Sequence, residues 1–272
     1  MPGSRRRRRT PILVNARHEV DVSRNAQQMM RRVTRSAEQI THAEDGWMSV
    51  SDGARLGGGI PASQMPVEAE IVESIAMIVM GNKKYGTGCL VRVKRGRGEV
   101  IPCLFTCAHC ISRERGVKVI FNHDARGLRY VETRTNPETF YMTASDTPDV
   151  CVCALDPFDG MEDRRAMRVG TSQACRGDVL VIQHPNAART TVSRGHGEML
   201  DRDTILHDAN TLPGSSGAPI VRVRNDGTLR LCGVHCEAVD VRMDARTTAK
   251  MNLGYTVRAI AAALRSKRCT FA

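Results

Sequence analysis

TLPGSSGAPIV, residues 211–221, sets two serines between Gly214 and Gly217 and then runs through Pro219 into the apolar pair Ile220 and Val221. A plain turn accounts for the glycines and the small polar residues, because glycine reaches backbone angles that other residues avoid. A nucleophile loop accounts for the whole stretch. Its glycine bares backbone N–H groups toward an oxyanion while a serine side chain projects at a carbonyl carbon. That reading requires a histidine and a carboxylate elsewhere in the chain.

Both are present in strand-edge settings. LFTCAHCIS places His109 directly after an apolar run, and TPDVCVCALD places Asp149 at the start of another, after Pro148. In a Ser–His–Asp relay the histidine takes the serine proton and returns it to the leaving amine, and the carboxylate fixes the tautomer. His109, Asp149 and Ser216 supply the three roles in chain order. Asp146 is the nearest rival for the carboxylate, and Asp149 is preferred because it abuts the alternating strand.

Composition bounds the rest. The chain has 272 residues, 41% of them hydrophobic, enough for one large or two small cored domains. The ten cysteines raise the question of a disulfide framework, but MPGSRRRRRTPILVN has no apolar run after its charge, so it does not read as a secretory signal. Reduced core thiols in an intracellular protein are the expectation. Charge is concentrated at the start: up to residue 35, ten arginines face only Glu19 and Asp21, a balance of +8 within a total of +11. The run Arg5 to Arg9 suits nucleic acid or an anionic surface, and equally a solvated tail.

The pattern divides the chain into a basic extension and linker, residues 1–66, and a body, residues 67–272. Ala26, Met29, Met30, Val33, Ala37 and Ile40 recur at helical spacing, with Ser23 placed to cap and Gly46 to end the run. The glycines and prolines of residues 52–66 read as a linker. The body is a series of short apolar runs separated by turn residues, from EIVESIAMIVMG through GTGCLVRVK, GVKVIF and DVLVIQH to LRLCGVHC, which indicates an all-β sandwich or barrel. YTVRAIAAALRSK has the length and alanine content of a terminal helix.

These residues resemble the chymotrypsin-like serine proteases, and more closely the intracellular and bacterial trypsin-like peptidase domains related to glutamyl endopeptidases. The resemblance rests on Thr106-Cys107-Ala108-His109-Cys110, on Asp149-Val150, on Gly214-Ser215-Ser216-Gly217-Ala218-Pro219 and on the glycine-turn strand GTGCLV at 86–91. It covers roughly residues 67–265. It implies two six-stranded antiparallel β-barrels with the active site between them, a C-terminal helix, and an oxyanion hole built by the N–H groups of Gly214 and Ser216. It also implies a P1 pocket in which Thr211 and His235 hydrogen-bond a glutamate or glutamine. Polar partners there make physical sense, since a buried carboxylate or amide otherwise loses its water.

Three departures stand out. Ser215 occupies the place where secreted members carry the aspartate that receives a new N-terminal amine. Gly86 stands where they carry the disulfide partner of the cysteine matching Cys110, with Cys89 displaced by three residues, so Cys110 is expected to stay a thiol. Glu237 and Ala238 replace the residues that usually line the substrate-pairing strand.

Three other readings compete. Cys103, Cys107, His109 and Cys110, with Cys232, His235 and Cys236, could form structural zinc sites, but paired Cys-x-x-Cys knuckles are missing. A catalytically inactive fold relative used as a binding module conflicts with an intact triad. A nucleic-acid-binding protein conflicts with a nearly neutral body and 4% aromatic residues. The sequence therefore indicates a serine endopeptidase acting on polypeptides, with no cofactor or metal and no transmembrane segment.

Overall fold

The computed structural model describes residues 12–15, 18–21, 48–49, 67–80, 85–96, 98–111, 116–122, 131–142, 148–170, 176–187, 190–224, 228–242 and 248–272. The Arg5 to Arg9 run, the helix expected across residues 26–40 and the linker at 52–66 lie outside them. Three short strands come first: β1 (Ile12–Asn15), β2 (His18–Asp21) and β3 (Met48–Ser49). Helix α1 (Val67–Ser74) opens the body. The first barrel follows as β4 (Ile75–Val79), β5 (Tyr85–Arg95), β6 (Glu99–Thr106), β7 (Lys118–Phe121), β8 (Val131–Met142) and β9 (Cys151–Leu155). The second comprises β10 (Gly177–Gln183), β11 (Thr191–Met199), β12 (Thr204–His207), β13 (Pro219–Val223), β14 (Leu229–Arg242) and β15 (Thr248–Thr256). Helix α2 (Ala261–Ser266) and β16 (Cys269–Phe271) end the chain.

Each set of six closes on itself, and every pairing within it is antiparallel. The first runs β5-β4-β7-β8-β9-β6 and returns to β5, and the second runs β13-β10-β11-β12-β15-β14 and returns to β13. Closure removes the exposed sheet edges that would otherwise recruit other chains. This is the two-barrel architecture the sequence leads one to expect, with a short C-terminal helix. Beyond the barrels, β16 pairs with β5, β1 with β14, and β3 with β11.

The thiols explain how so few aromatic residues fill these barrels. Cys89, Cys103, Cys151 and Cys153 are fully buried among Leu90, Leu104, Phe105 and Val152. Small thiols serve as core hydrophobes where branched side chains would overfill a narrow barrel. Nine cysteines are described, and all nine are buried outside any disulfide. Burial pushes the Cys89 and Cys103 thiols up, away from ionisation. Phe271 of β16 meets Phe105 edge-on at 5.9 Å, tying the C-terminus to the first barrel.

Residues 156–170 lead from the first barrel toward the second. Arg164 anchors them, donating to the Glu73 carbonyl at 2.7 Å and to Asn122 Oδ1 at 3.3 Å, with its guanidinium 4.9 Å from the Phe121 ring. Two element boundaries differ from the pattern reading. The run at residues 70–81 begins in α1 and becomes strand only at Ile75, because Ile71 and Val72 bury a helical face first. The terminal helix is limited to six residues, because Tyr255 and Thr256 are still paired in β15 with Val234 and Gly233.

Candidate active site

The seam between the barrels gathers the residues singled out by the sequence. β6 pairs with β9 so that Thr106 faces Cys151, and this brings the chain after one strand beside the chain before the other. His109 sits on the single 3-10 turn Ala108–Cys110, and Asp149 sits two residues ahead of β9. They meet: His109 Nδ1 lies 2.5 Å from Asp149 Oδ2, and the His109 backbone N–H donates to Oδ1 at 3.0 Å. Cys236 of β14 donates its thiol to the same Oδ2 at 3.3 Å. Asp149 is thus held by three donors from both barrels. Asp146 lies outside the described residues.

This environment separates the two partners' protonation. For His109, the bond to Asp149 is the largest influence, with Cys110 and Cys236 adding to it, and the imidazolium is favoured well above the ordinary histidine range. Burial pushes the Asp149 carboxyl up, but the bonds and charge of His109 outweigh it and hold the group below its usual value.

Ser216 lies in a tightly closed loop. Gly214 (φ +95°) and Gly217 (φ +83°) take left-handed backbone angles, and a side chain on Gly217 would collide with Thr106 Oγ1 and the Thr87 carbonyl. Ser215 is fully buried, and its hydroxyl accepts the Leu212 N–H at 3.1 Å while its own N–H donates to the Leu212 carbonyl at 3.0 Å. The residue that departs from the secreted pattern therefore closes the loop with local bonds, independent of any N-terminal amine.

Thr87 of β5, a residue that sequence reasoning did not single out, stitches this loop to the first barrel. Its N–H donates to the Ser216 carbonyl at 2.8 Å, and its hydroxyl donates to the Gly214 carbonyl at 2.8 Å while accepting the His184 N–H at 3.0 Å. Thr106 Oγ1 donates to the Thr87 carbonyl at 2.7 Å. The N–H groups of Gly214 and Ser216 make no backbone hydrogen bond among the described residues. The one available signal was a polar residue between the glycines of GTGCLV. Cys110 packs beside Gly86, where an added Cβ would come within 2.9 Å of its Sγ.

Ser216 Oγ donates to the Cys236 carbonyl at 3.1 Å and makes no hydrogen bond to His109. The structure thus joins His109 to Asp149 and leaves the serine hydroxyl turned toward β14. Rotation about χ1 moves it between staggered positions.

The expected pocket residues have partners of their own. His235 is buried, with Nδ1 3.2 Å from His207 Nε2, and Thr211 donates to Asn252 Oδ1 at 2.7 Å. His207 and Asn252 are register partners in the β12–β15 ladder, so Thr211, Asn252, His207 and His235 form a connected row. Burial is the main reason the His235 pKa falls to about 3, and the charge of His109 adds to it. His207 Nδ1 is buried without a partner. An orphan lone pair costs less there than an orphan N–H, so His207 is assigned as the Nε2–H tautomer donating to His235, which leaves His235 protonated at Nε2. His207 and Asn252 were not identified from sequence, because β12 is only four residues long and their link runs through the β12–β15 ladder.

Cys107, His109, Asp149 and Cys236 place one ligand-type atom each within 4.8 Å of the others. This grouping cuts across the cysteine clusters visible in sequence, since Cys103, Cys110 and Cys232 are not part of it.

Two closed antiparallel barrels with a histidine, a carboxylate and a glycine-flanked serine at their seam define a peptidase of the two-barrel class. The chain belongs to the trypsin-like peptidase domain family, whose model matches residues 86–230, more than half of its 272 residues. Among solved structures it is similar to a Glu endopeptidase in complex with MPD, at 16% identity and a TM-score of 0.54, covering 82% of this chain and 95% of that one. It is also similar to an inactive-form mutant of Rv3671c from M. tuberculosis H37Rv, at 17% identity and a TM-score of 0.51, covering 78% and 95%. At such identities the likeness concerns the fold. No curated protein matches the sequence significantly. No helix among the described residues is long and apolar enough to cross a membrane.

Proposed function

We propose that the protein is a serine endopeptidase in which Ser216 is the nucleophile, His109 the general base and acid, and Asp149 the group that orients and stabilises the imidazolium. Ser216 Oγ rotates from the Cys236 carbonyl toward His109 Nε2, gives up its proton and attacks the scissile carbonyl. The oxyanion that develops is met by the N–H groups of Gly214 and Ser216, whose lack of backbone partners is the observation that carries this reading. His109 then returns the proton to the leaving amine, and water reverses the sequence to release the acyl product.

The pocket reading follows from the row of polar residues. A neutral His235 with Nε2–H presents a donor, and Thr211 retains lone pairs beyond its bond to Asn252. The His235 N–H suits the carbonyl oxygen of a P1 glutamine or protonated glutamate, and Thr211 suits the amide N–H or acid O–H of the same side chain. Burial favours the neutral form of His235, so the pocket suits glutamine or a glutamate that keeps its own proton. Residues 1–66 are assigned to an accessory extension, with the Arg5 to Arg9 run as a contact for nucleic acid or an anionic surface in an intracellular setting.

The deciding experiment is labelling with a fluorophosphonate alongside hydrolysis of a peptide library. Ser216→Ala is expected to lose both labelling and turnover while melting normally. Undiminished cleavage by that folded variant removes Ser216 from the mechanism.

A further inference from the structure

Cys107 and Cys236 lie against the histidine–aspartate pair, and neither thiol takes part in the proposed proton transfers. Cys107 follows β6 and donates to the His235 carbonyl at 3.2 Å, across the seam, while Cys236 comes from the second barrel and donates to Asp149. Each is a small buried group where a methyl or a hydroxyl would fill the same space. Together with a ring nitrogen of His109 and an Asp149 oxygen they form a four-donor set no wider than 4.8 Å, and Nδ1 is the His109 nitrogen that faces Asp149. A tetrahedral zinc ion, with bonds of about 2.3 Å to sulfur and about 2.0 Å to nitrogen, needs its donors about 3.3–3.8 Å apart. Rotamer adjustment of the two thiols closes the wider separations, and the His109 Nδ1–Asp149 Oδ2 pair, 2.5 Å apart, opens by about 0.8 Å once its shared proton has left.

We propose that Cys107, His109, Asp149 and Cys236 form a binding site for a thiophilic divalent cation of the zinc type, and that occupancy switches the peptidase off. The second half rests on the triad reading. Two thiolates and one carboxylate select such an ion over magnesium or calcium, which prefer oxygen donors. Their three negative charges also outweigh the ion's two positive ones. From the imidazolium form of His109, binding releases the two thiol protons and the proton shared between His109 and Asp149, while four coordinate bonds form to two sulfurs, one nitrogen and one oxygen. The His109 side chain is 46% exposed, which gives the ion an entrance from solvent to two buried thiols. Once Nδ1 is bound to the metal, the remaining proton of the ring sits on Nε2, so His109 has no lone pair with which to accept the Ser216 proton. The site is therefore inhibitory by construction.

The test uses the full-length chain carrying Ser216→Ala, stripped with chelator and kept under a non-thiol reductant, titrated with Co²⁺. One equivalent is expected to bind with a thiolate-to-cobalt charge-transfer band and tetrahedral ligand-field absorption, both abolished by Zn²⁺. Cys107→Ala and Cys236→Ser are each expected to lose the band and weaken zinc binding about tenfold or more. Cys110→Ser, next to His109 but outside the donor set, is expected to keep it. Zinc should also inhibit the wild-type chain reversibly with chelator, and the paired Cys107→Ala, Cys236→Ser variant should resist it.

Absence of a stoichiometric band in the folded protein overturns the site, as does a band that survives in the folded paired variant. Binding that leaves hydrolysis unchanged overturns the inhibitory role. A normal cobalt spectrum in a chain that never hydrolyses peptides retains the site and rejects the triad reading instead.

Discussion

Thr87→Val isolates the stitch between the barrels from the chemistry it supports. Valine keeps the shape and removes the hydroxyl, deleting the bond to the Gly214 carbonyl at 2.8 Å and the one from the His184 N–H at 3.0 Å. Thr87 is fully buried, so both groups lose a partner in a place water reaches poorly. Two such losses cost about 2–4 kcal/mol. For a chain of this size each kcal/mol lowers Tm by about 2–4 °C, so a drop of roughly 4–16 °C is expected. Freed of one anchor, the Gly214–Ser215 peptide can turn, which loosens the short loop that carries both proposed oxyanion donors, Gly214 N–H and Ser216 N–H. Complete loss of one such donor is worth about 10²–10³ in kcat, so partial misalignment should cost about 10- to 100-fold. The loss should fall on kcat with KM little changed, because the oxyanion exists only beyond the ground state. Thr87→Ser should restore both quantities. Steady-state kinetics beside a thermal melt measure the two effects separately. A Thr87→Val variant that melts early yet keeps its full kcat would refute the link between this stitch and the oxyanion donors.

His109→Ala should reduce hydrolysis nearly as far as Ser216→Ala, since the residues act as a unit, and the paired variant should be no worse than either. In metal-free buffer the base must be neutral, so activity should fall as pH drops through the raised His109 pKa, with the lower limb above the ordinary histidine range. Asp149→Asn should move that limb to lower pH and cut kcat by about 10⁴-fold. Both members of the pair stabilise the fold, with opposite pH dependence: the His109 share is present below the unfolded histidine pKa and lost as pH rises through the folded one, and the Asp149 share is present above the unfolded carboxyl pKa and lost as pH falls through the folded one. A chemical-denaturation series across pH reads both. His235→Ala and His207→Ala should each reduce efficiency on glutamine-P1 or glutamate-P1 peptides far more than on alanine-P1 peptides, and because the His235 pKa lies near 3, preference for glutamine should be flat from pH 5 to 9. Added reductant should leave Tm unchanged, since all nine described cysteines are outside disulfides.

The fold was legible because closed barrels repeat one signal, a short apolar strand between turn residues, and β5, β6, β7, β9, β10, β11, β13 and β14 each carry it. β8 does not: its register shifts between Thr135 and Phe140, around Pro137, so alternation breaks within the strand. β12 is four residues long and β15 includes Lys250, Asn252 and Gly254, so neither stands out from loop sequence. The pairing of His109 with Asp149 could be read because each sits at a strand end with a recognisable neighbour. The contacts made by Thr87, His207, Asn252 and Cys236 could not, because they join residues far apart in the chain and depend on which faces the two barrels turn toward each other. Burial also sets the charge of the pocket. An exposed histidine would titrate near neutrality, whereas burial against His207 keeps His235 neutral.

The seam itself explains why the site needs both barrels. In the proposed mechanism the first barrel supplies His109 and Asp149, the second supplies Ser216, and each half is bonded across the gap. The Ser216 carbonyl accepts from Thr87, the Gly217 N–H donates to the His235 carbonyl, and Asp149 accepts from Cys236. Ser216 carries the coupling in both directions, because its carbonyl is fixed by the first barrel while its hydroxyl is held by a carbonyl of the second. A shift of one barrel against the other by a fraction of an ångström would therefore change the reach between Oγ and His109 without unfolding anything. Whatever grips both sides at Cys107 and Cys236 acts on the point where that reach is set.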